Sequence, residues 1–305
     1  MRISACACVV FSVCACSAAP AQNSGVETIS ARKDVGAMAQ ETTATKAPTV
    51  VNAVVPTVAQ PKKFESPEAM LSALEIAGDT ISTFRANVIY DRVDAVSENR
   101  ERRTGQIVLA QIVGQLKSRT LAIMFDQLID ASGHATTERQ RFVFSGGWLF
   151  EFDDQRHQLI ARELVAPGEQ LDPLRIGEGP IPIPIGQKKV EVLQRFEVNF
   201  LEHPAEPLLK RLENIQGLAL YPKQNAGVDP DLGDICVWYD LTTLMPAAVM
   251  AMTKGGDQKI LLLTQMEVNQ ALPDSATSVL STQPPAATPG GIAWRTDVRP
   301  YKAAP

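Results

Sequence analysis

Hydrophobic and polar positions alternate along most of the chain from Phe84 onward. Phe84, Ala86, Val88 and Tyr90 are interleaved with Arg85, Asn87 and Asp91. A period of two puts one side of an extended strand into a core and leaves the other polar. Similar runs cover 106–113, 120–129 (Leu121, Ile123 and Phe125 on one face), a segment ending at Phe142 and Phe144, 148–152 and 157–164. Gly146-Gly147 and Asp153-Asp154 are turn chemistry between such runs, which predicts a meander of antiparallel hairpins. Strands resume at 196–201, 218–221, 235–241, 247–252 and 259–269, with Gly255-Gly256 turning between the last two.

Helical spacing occurs in two places. Ser66-Pro67-Glu68 reads as an N-cap, a proline at the first helical position and an acidic first turn. Met70, Ala73, Leu74, Ala77 and Ile81 then share a face, and the helix should end near 80–82. A short second helix is expected over 187–195. Between the two strand groups, 167–186 is rich in Pro and Gly and includes Ile181-Pro182-Ile183-Pro184-Ile185-Gly186. Proline fixes φ and biases its predecessor to extended geometry, so Gly177 to Gly186 is expected to be a stiff strut whose isoleucines pack at a cavity rim, either as a gate or as a loop plugging the barrel edge. After Pro273 the chain is Pro- and Ala-rich, with Trp294 as a late apolar marker.

The N-terminus bears on the compartment. Met1-Arg2 precedes a run from Ile3 to Ala15 that is apolar or small, which has the make-up of a signal peptide and is too short to span a bilayer. Two processing sites compete. Ala19-Pro20-Ala21 fits cleavage before Gln22, and Val13-Cys14-Ala15-Cys16 resembles a lipobox in which Cys16 becomes the acylated first residue. Residues 22–63 lack a sustained period and are expected to be a disordered linker. Such a linker behind Cys16 suits a tethered domain. The expected organisation is a signal at 1–21 (1–15 for a lipoprotein), the linker, a domain over 64–280 and a C-terminal extension over 281–305.

Charge and candidate chemistry narrow the function classes. A net charge of −5 gives no basic footprint for nucleic acid. Four of the five cysteines lie in the signal segment and are read as small apolar residues, leaving Cys236 as an inert thiol in a strand. His134, His157 and His203 lack metal-ligand spacing, and structural or surface roles are expected for them. Ser145-Gly146-Gly147 is not a nucleophile elbow. Gly177, Gly179 and Gly186 lack the lysine step of a phosphate loop, and the prolines between them remove backbone donors. No cofactor motif is present. The positive signal is apolar: Phe142, Phe144, Trp148, Phe150 and Phe152 share parity across a turn and are expected on one face. Such a stripe is more often plain core than a ligand face.

The order of these segments resembles a known family. A helix and a long strand are followed by Gly105-Gln106-Ile107-Val108-Leu109-Ala110, then Leu121-Ala122-Ile123-Met124-Phe125. Phe144-Ser145-Gly146-Gly147-Trp148-Leu149-Phe150-Glu151-Phe152-Asp153 comes next. This is similar to the LolA-type periplasmic lipoprotein carriers and their outer-membrane receptor relatives, over roughly 65–280. The family's turn Asp is missing here, and Arg119 is the nearest counterpart of its functional arginine. The resemblance implies an α+β fold, mainly antiparallel β: an incomplete, curved β-barrel covered by helices around an apolar cavity. It implies a non-enzymatic carrier or tethered receptor in the periplasm or anchored in the envelope. Acylated lipoproteins or lipids would be its cargo, and an inner-membrane lipoprotein-release transporter a further partner. Phe125, Phe142, Phe144, Trp148, Phe150, Phe152, Ile181 and Ile183 are the expected cavity residues, with Arg119 as a cargo-contact cation. A lipid-sensing regulatory or interaction module on the same fold is the alternative, and an extracytoplasmic hydrolase ranks below both.

The anchoring expectation is directly testable. Cys16→Ser should move the protein from the membrane pellet to the soluble envelope fraction. A wild-type N-terminus found at Gln22 by mass spectrometry overturns it.

Overall fold

A computed structural model describes residues 63–111, 119–166, 174, 183–224, 228–286 and 291–302. The expected signal peptide, Cys16, most of the linker and Ile181 lie outside the described residues.

In chain order the elements are α1 (Pro67–Asp79), β1 (Thr83–Val93), β2 (Arg100–Gln111), β3 (Arg119–Ile129), β4 (Ala135–Ser145), β5 (Trp148–Asp153) and β6 (Gln158–Glu163). Then follow α2 (Lys189–Arg195), β7 (Phe196–Leu201), β8 (Ile215–Pro222), β9 (Leu232–Asp240), β10 (Pro246–Thr253) and β11 (Gln258–Val268). The chain continues with α3 (Asp274–Val279) and β12 (Arg295–Arg299). The expected N-cap is present: the Ser66 hydroxyl accepts from the Ala69 N–H at 3.2 Å. Gly146 and Gly147 have φ of 58° and 84°, the positive values that a two-residue hairpin turn needs.

All twelve strands form one sheet, ordered β12-β6-β5-β4-β3-β2-β1-β11-β10-β9-β8-β7. Two meanders, β1–β6 and β7–β11, are joined where β1 pairs antiparallel with β11. The sheet does not close into a barrel, because β12 and β7 remain as edges. Pairing is antiparallel except between β12 and β6, which run parallel. Neither α3 nor β12 was expected from the Pro- and Ala-rich tail. Both are short and mostly polar, and they form against neighbours that local sequence does not reveal.

One face, called inner here, carries the main core. Ile107, Leu109, Leu121, Ile123, Phe142 and Phe144 from the first meander join Leu218, Ile235, Val237, Val249 and Leu261 from the second. Met70, Leu71 and Leu74 of α1 and Val192 of α2 pack onto them. The outer face is buried in two separate patches. Ala276 and Val279 of α3 cover Val108, Ala122 and Val143. Leu209, with Leu208 and Leu212, covers Trp238, Ala248 and Ile260 at the other half.

A fully buried carboxylate pins this second patch. Asp91 is 0 % exposed on the outer side of β1. Arg100 Nε and Arg102 Nε donate to it at 2.7 Å each, and Arg102 Nη2 at 2.9 Å. Arg100 Nη2 also reaches Glu206 at 3.0 Å, tying the covering segment to the sheet. A charge so placed is tolerable only with its partners present. Asp91→Asn should therefore cost about 3 kcal/mol, the low end for breaking a buried pair, because both arginines keep partial access to water. Urea unfolding of the variant, with Arg102→Lys as the milder comparison, measures this; an unchanged midpoint overturns it.

Candidate functional site

The candidate site is the inner face of β2–β5 together with the segments lying over it. Register decides which side chains belong to it. Ser145 pairs with Trp148, Phe144 with Leu149, Val143 with Phe150, Phe142 with Glu151 and Arg141 with Phe152. A two-residue turn couples even to odd positions, so equal parity across it means opposite faces. Phe142 and Phe144 lie on the inner face with Leu149, whereas Phe150 and Phe152 lie on the outer face with Val143. Trp148 stacks on Phe150 at 6.3 Å on that outer side. The shared-face expectation for the five aromatics is thus corrected: two are inner and three are outer.

On the inner side the aromatic character continues differently. Phe125 meets Phe142 edge-on at 6.3 Å, and Tyr90 meets Phe125 at 5.9 Å. Burial pushes the Tyr90 hydroxyl up to about 12. The row Leu109–Leu121–Phe144–Leu149 runs across four strands. It ends at charge, since Arg162 Nε donates to Glu151 at 2.8 Å on the β5–β6 rim. The apolar row itself therefore ends at β5 on this side, opposite Arg162. Sequence reasoning did not name Leu109, Leu149 or Met70 as site residues; counting register through the Gly-Gly turn would have found Leu149.

The cover consists of α1, α2 and residues 183–186. Ile183 and Ile185 are 0 % and 1 % exposed and belong to the core. The described end of the Pro-Ile segment is not an extended strut. Ile185 N–H donates to the Ile183 carbonyl at 3.0 Å, a three-residue turn centred on Pro184 that drives both isoleucines inward. The Tyr239 hydroxyl of β9 donates to the Pro184 carbonyl at 3.4 Å. Gln187 Nε2 donates to the Leu174 carbonyl at 2.7 Å, and Lys189 N–H to Glu75 at 3.1 Å.

The tightest point of the cover is a backbone crossing. A Cβ added at Gly78 would lie 1.9 Å from the Gly186 Cα, so the C-terminal end of α1 and the 183–186 turn touch main chain to main chain. Gly186 has φ +66°, which favours glycine on its own account. Arg119 Nη2 donates to the Gly78 carbonyl at 2.7 Å, placing a cation at the negative end of the helix. Arg119, Gly78 and Gly186 thus form a clasp between sheet and cover. Phe125, Phe142 and Phe144 of the sheet share one core with Ile183 of the cover. A pocket of about 240 Å3 lies elsewhere, between Arg100, Arg102, Ile129 and the Asp130–Gly133 turn.

Other candidates are placed as follows. Cys236 is partly buried in β9, and burial, with Asp234 second, pushes its thiol up to about 11, so it stays protonated at neutral pH. His157 is in the turn before β6, not in the strand, with φ 49° and its ring 5.7 Å from Trp294. His203 Nε2 is 2.7 Å from the Leu212 carbonyl. Among the described residues no group of three or more His, Cys, Asp or Glu is placed to hold a metal ion, and no helix is long and apolar enough to cross a membrane.

No family model matches the chain, and no curated protein sequence matches it. Solved structures with a similar chain course include an uncharacterized conserved protein from Thermus thermophilus, at 8% identity and TM-score 0.39, covering 75% of this chain and 98% of that one. The Pseudomonas aeruginosa MucA/MucB complex is similar at 14% identity and TM-score 0.37, covering 68% and 59%. A LolA superfamily protein from Nitrosomonas europaea is similar at 13% identity and TM-score 0.31, covering 69% and 96%. These likenesses are distant and assign no role to any residue here.

The clasp makes one substitution informative. Gly78→Ala should gain up to about 1 kcal/mol in helix propensity. The new methyl meets backbone, not a flexible side chain, so the steric term dominates and the net effect should be a loss of about 1–3 kcal/mol. Thermal melting of the variant reads the sign; a raised Tm overturns the crossing.

Proposed function

We propose that the protein is a non-enzymatic carrier or tethered receptor of the cell envelope that holds acyl chains, of lipids or of lipoproteins, between the inner sheet face and its cover. The observation that carries this reading is the construction of the cover. It buries Met70, Leu71, Leu74, Ile183 and Ile185 on a continuous apolar face, yet Arg119 and a Gly-Gly crossing hold its edge. Displacing the cover exposes apolar surface on both sides of the gap, which suits an aliphatic ligand and offers no group for chemistry. The family resemblance in the sequence points the same way.

Magnitudes fit hand-over. An acyl chain of ~16 carbons gains on the order of 12 kcal/mol on leaving water, at about 0.8 kcal/mol per CH2. A bilayer offers nearly the same, so a few kcal/mol of cover closure decides between holding and releasing. The Arg119 hydrogen bond, charge-assisted, is worth about 1.5–3 kcal/mol, which is the right size for that decision. In this reading Phe125, Phe142, Phe144 and Ile183 line the acyl site, and Arg119 is the latch. Trp148, Phe150 and Phe152 do not line it.

Face-selective mutagenesis tests the proposal. Phe142→Ser and Phe144→Ser should lower retention of a fluorescent fatty acid at least tenfold, and Arg119→Leu should speed its uptake severalfold. Phe150→Ser on the outer face should leave both unchanged. Equal effects from the two faces, or no lipid detected by native mass spectrometry of envelope-purified protein, would overturn it.

A further inference from the structure

The sheet ends at β12, and this edge carries a self-complementary pattern. Arg295 N–H donates to the His157 carbonyl at 2.8 Å, so the main-chain groups of Arg295, Asp297 and Arg299 face β6. Those of Thr296 and Val298 point away from the sheet, and no described strand pairs with them. Val298 is 59 % exposed and Tyr301 40 %. Asp297 and Arg299 pair with each other at 2.6 Å, with side chains 44 % and 47 % exposed.

We propose that this edge is an interface with a second copy of the chain, β12 pairing antiparallel with the partner's β12 about a two-fold axis through Val298. An isologous contact requires a surface to be its own complement. In this register Val298 exchanges both main-chain hydrogen bonds with the partner's Val298. Thr296 N–H donates to the carbonyl of the partner's Pro300, and the two-fold repeats this bond, while the Thr296 carbonyls receive nothing from Pro300, which has no N–H. Asp297 falls opposite the partner's Arg299, at a closely spaced position where unlike charges attract. Arg295 falls opposite the partner's Tyr301. The two-fold axis stands perpendicular to the sheet, so outer face continues into outer face.

The neighbouring register, centred on Asp297, fails on charge. It sets Asp297 against the partner's Asp297 and Arg295 against the partner's Arg299, and like charges directly opposite destabilise a strand pair. The register centred on Thr296 also joins unlike charges, Asp297 with the partner's Arg295, but it leaves Arg299 opposite the partner's Ala293, so a charge change at Arg299 distinguishes it from the register centred on Val298. β12 has five residues, and Pro300 lacks an N–H, both of which limit an edge contact. The association is weak, reversible and sensitive to salt. It is independent of what the inner face binds.

Sedimentation of the processed protein over a concentration series at low salt tests the proposal. Wild type should shift from monomer to dimer. Asp297→Arg and Arg299→Asp should each weaken the dimer on the order of tenfold. Mixing these two single variants should restore association, because every charged contact across the axis again joins unlike signs. Val298→Pro should abolish it by removing the central N–H. Unchanged melting curves establish that the exposed substitutions leave the fold intact. A wild type that stays monomeric throughout, or a dimer unmoved by the charge changes and without preference in the mixture, overturns the interface.

Discussion

Residues 184–186 reach β9 and β3 at once only because the sheet bends. Tyr239 on β9 donates to the Pro184 carbonyl, and a methyl group on Gly186 would lie 3.4 Å from Arg119 at the start of β3. Those strands are five spacings apart in the sheet, or about 24 Å if it were flat. Two residue steps span at most ~7 Å, and side chains standing roughly perpendicular to the sheet cannot bridge the remainder. The bend brings the two meanders towards each other over a single cover. A helix of 13 residues, about 20 Å long, then suffices as the main lid of a twelve-stranded sheet.

Bending creates an outer surface that needs its own burial. The two outer patches meet different covers, a turn-rich segment at one half and α3 with the Trp294 region at the other. Each cover is fastened by arginine. Arg100 links buried Asp91 to Glu206, and Arg141 donates to the carbonyls of Ser278, Val279 and Ser281 while stacking 3.8 Å over the Phe152 ring. The planar, multidonor guanidinium can satisfy several acceptors at the end of a short helix while its flat face stays apolar enough to stack. Phe152, expected to face cargo, instead anchors the C-terminal extension together with Trp294 at 6.0 Å.

Hairpins were legible in the sequence because turn and period agree. Gly146-Gly147, Gly255-Gly256 and the runs at 84–91, 120–129 and 196–201 correspond to turns and strands in the fold. The resemblance anticipated an α+β fold, mainly antiparallel β, as an incomplete curved barrel covered by helices; the sheet is mainly antiparallel and does not close. Three things were not legible. Facing across a turn depends on the sum of paired residue numbers, which parity alone does not reveal, and this misplaced Trp148, Phe150 and Phe152. β12 pairs with a strand far back in the chain and buries little, so its pattern gives no period. Asp91 sits at a polar position of an alternating strand and looks solvent-facing, but a distant loop covers it. The clasp was partly visible, since Arg119 and Gly186 were both noted, yet nothing local indicated that Gly78 would meet them.

The seam between the meanders sets an order of assembly. β1 lies in the middle of the sheet, and its second neighbour is β11, so Val88 waits for Leu263 before its pairing is complete. The first meander can zip by successive hairpins, each closing a short loop, as soon as its residues are available. The second can do likewise, but joining them requires a contact spanning most of the domain, and such closures are slow. Until then β1 offers a bare edge with apolar residues on one side, the kind of surface on which partly folded chains associate wrongly. A chain made from its N-terminus carries this exposed strand through nearly the whole of its synthesis. The slowest and most error-prone step in its maturation is therefore the arrival of β11.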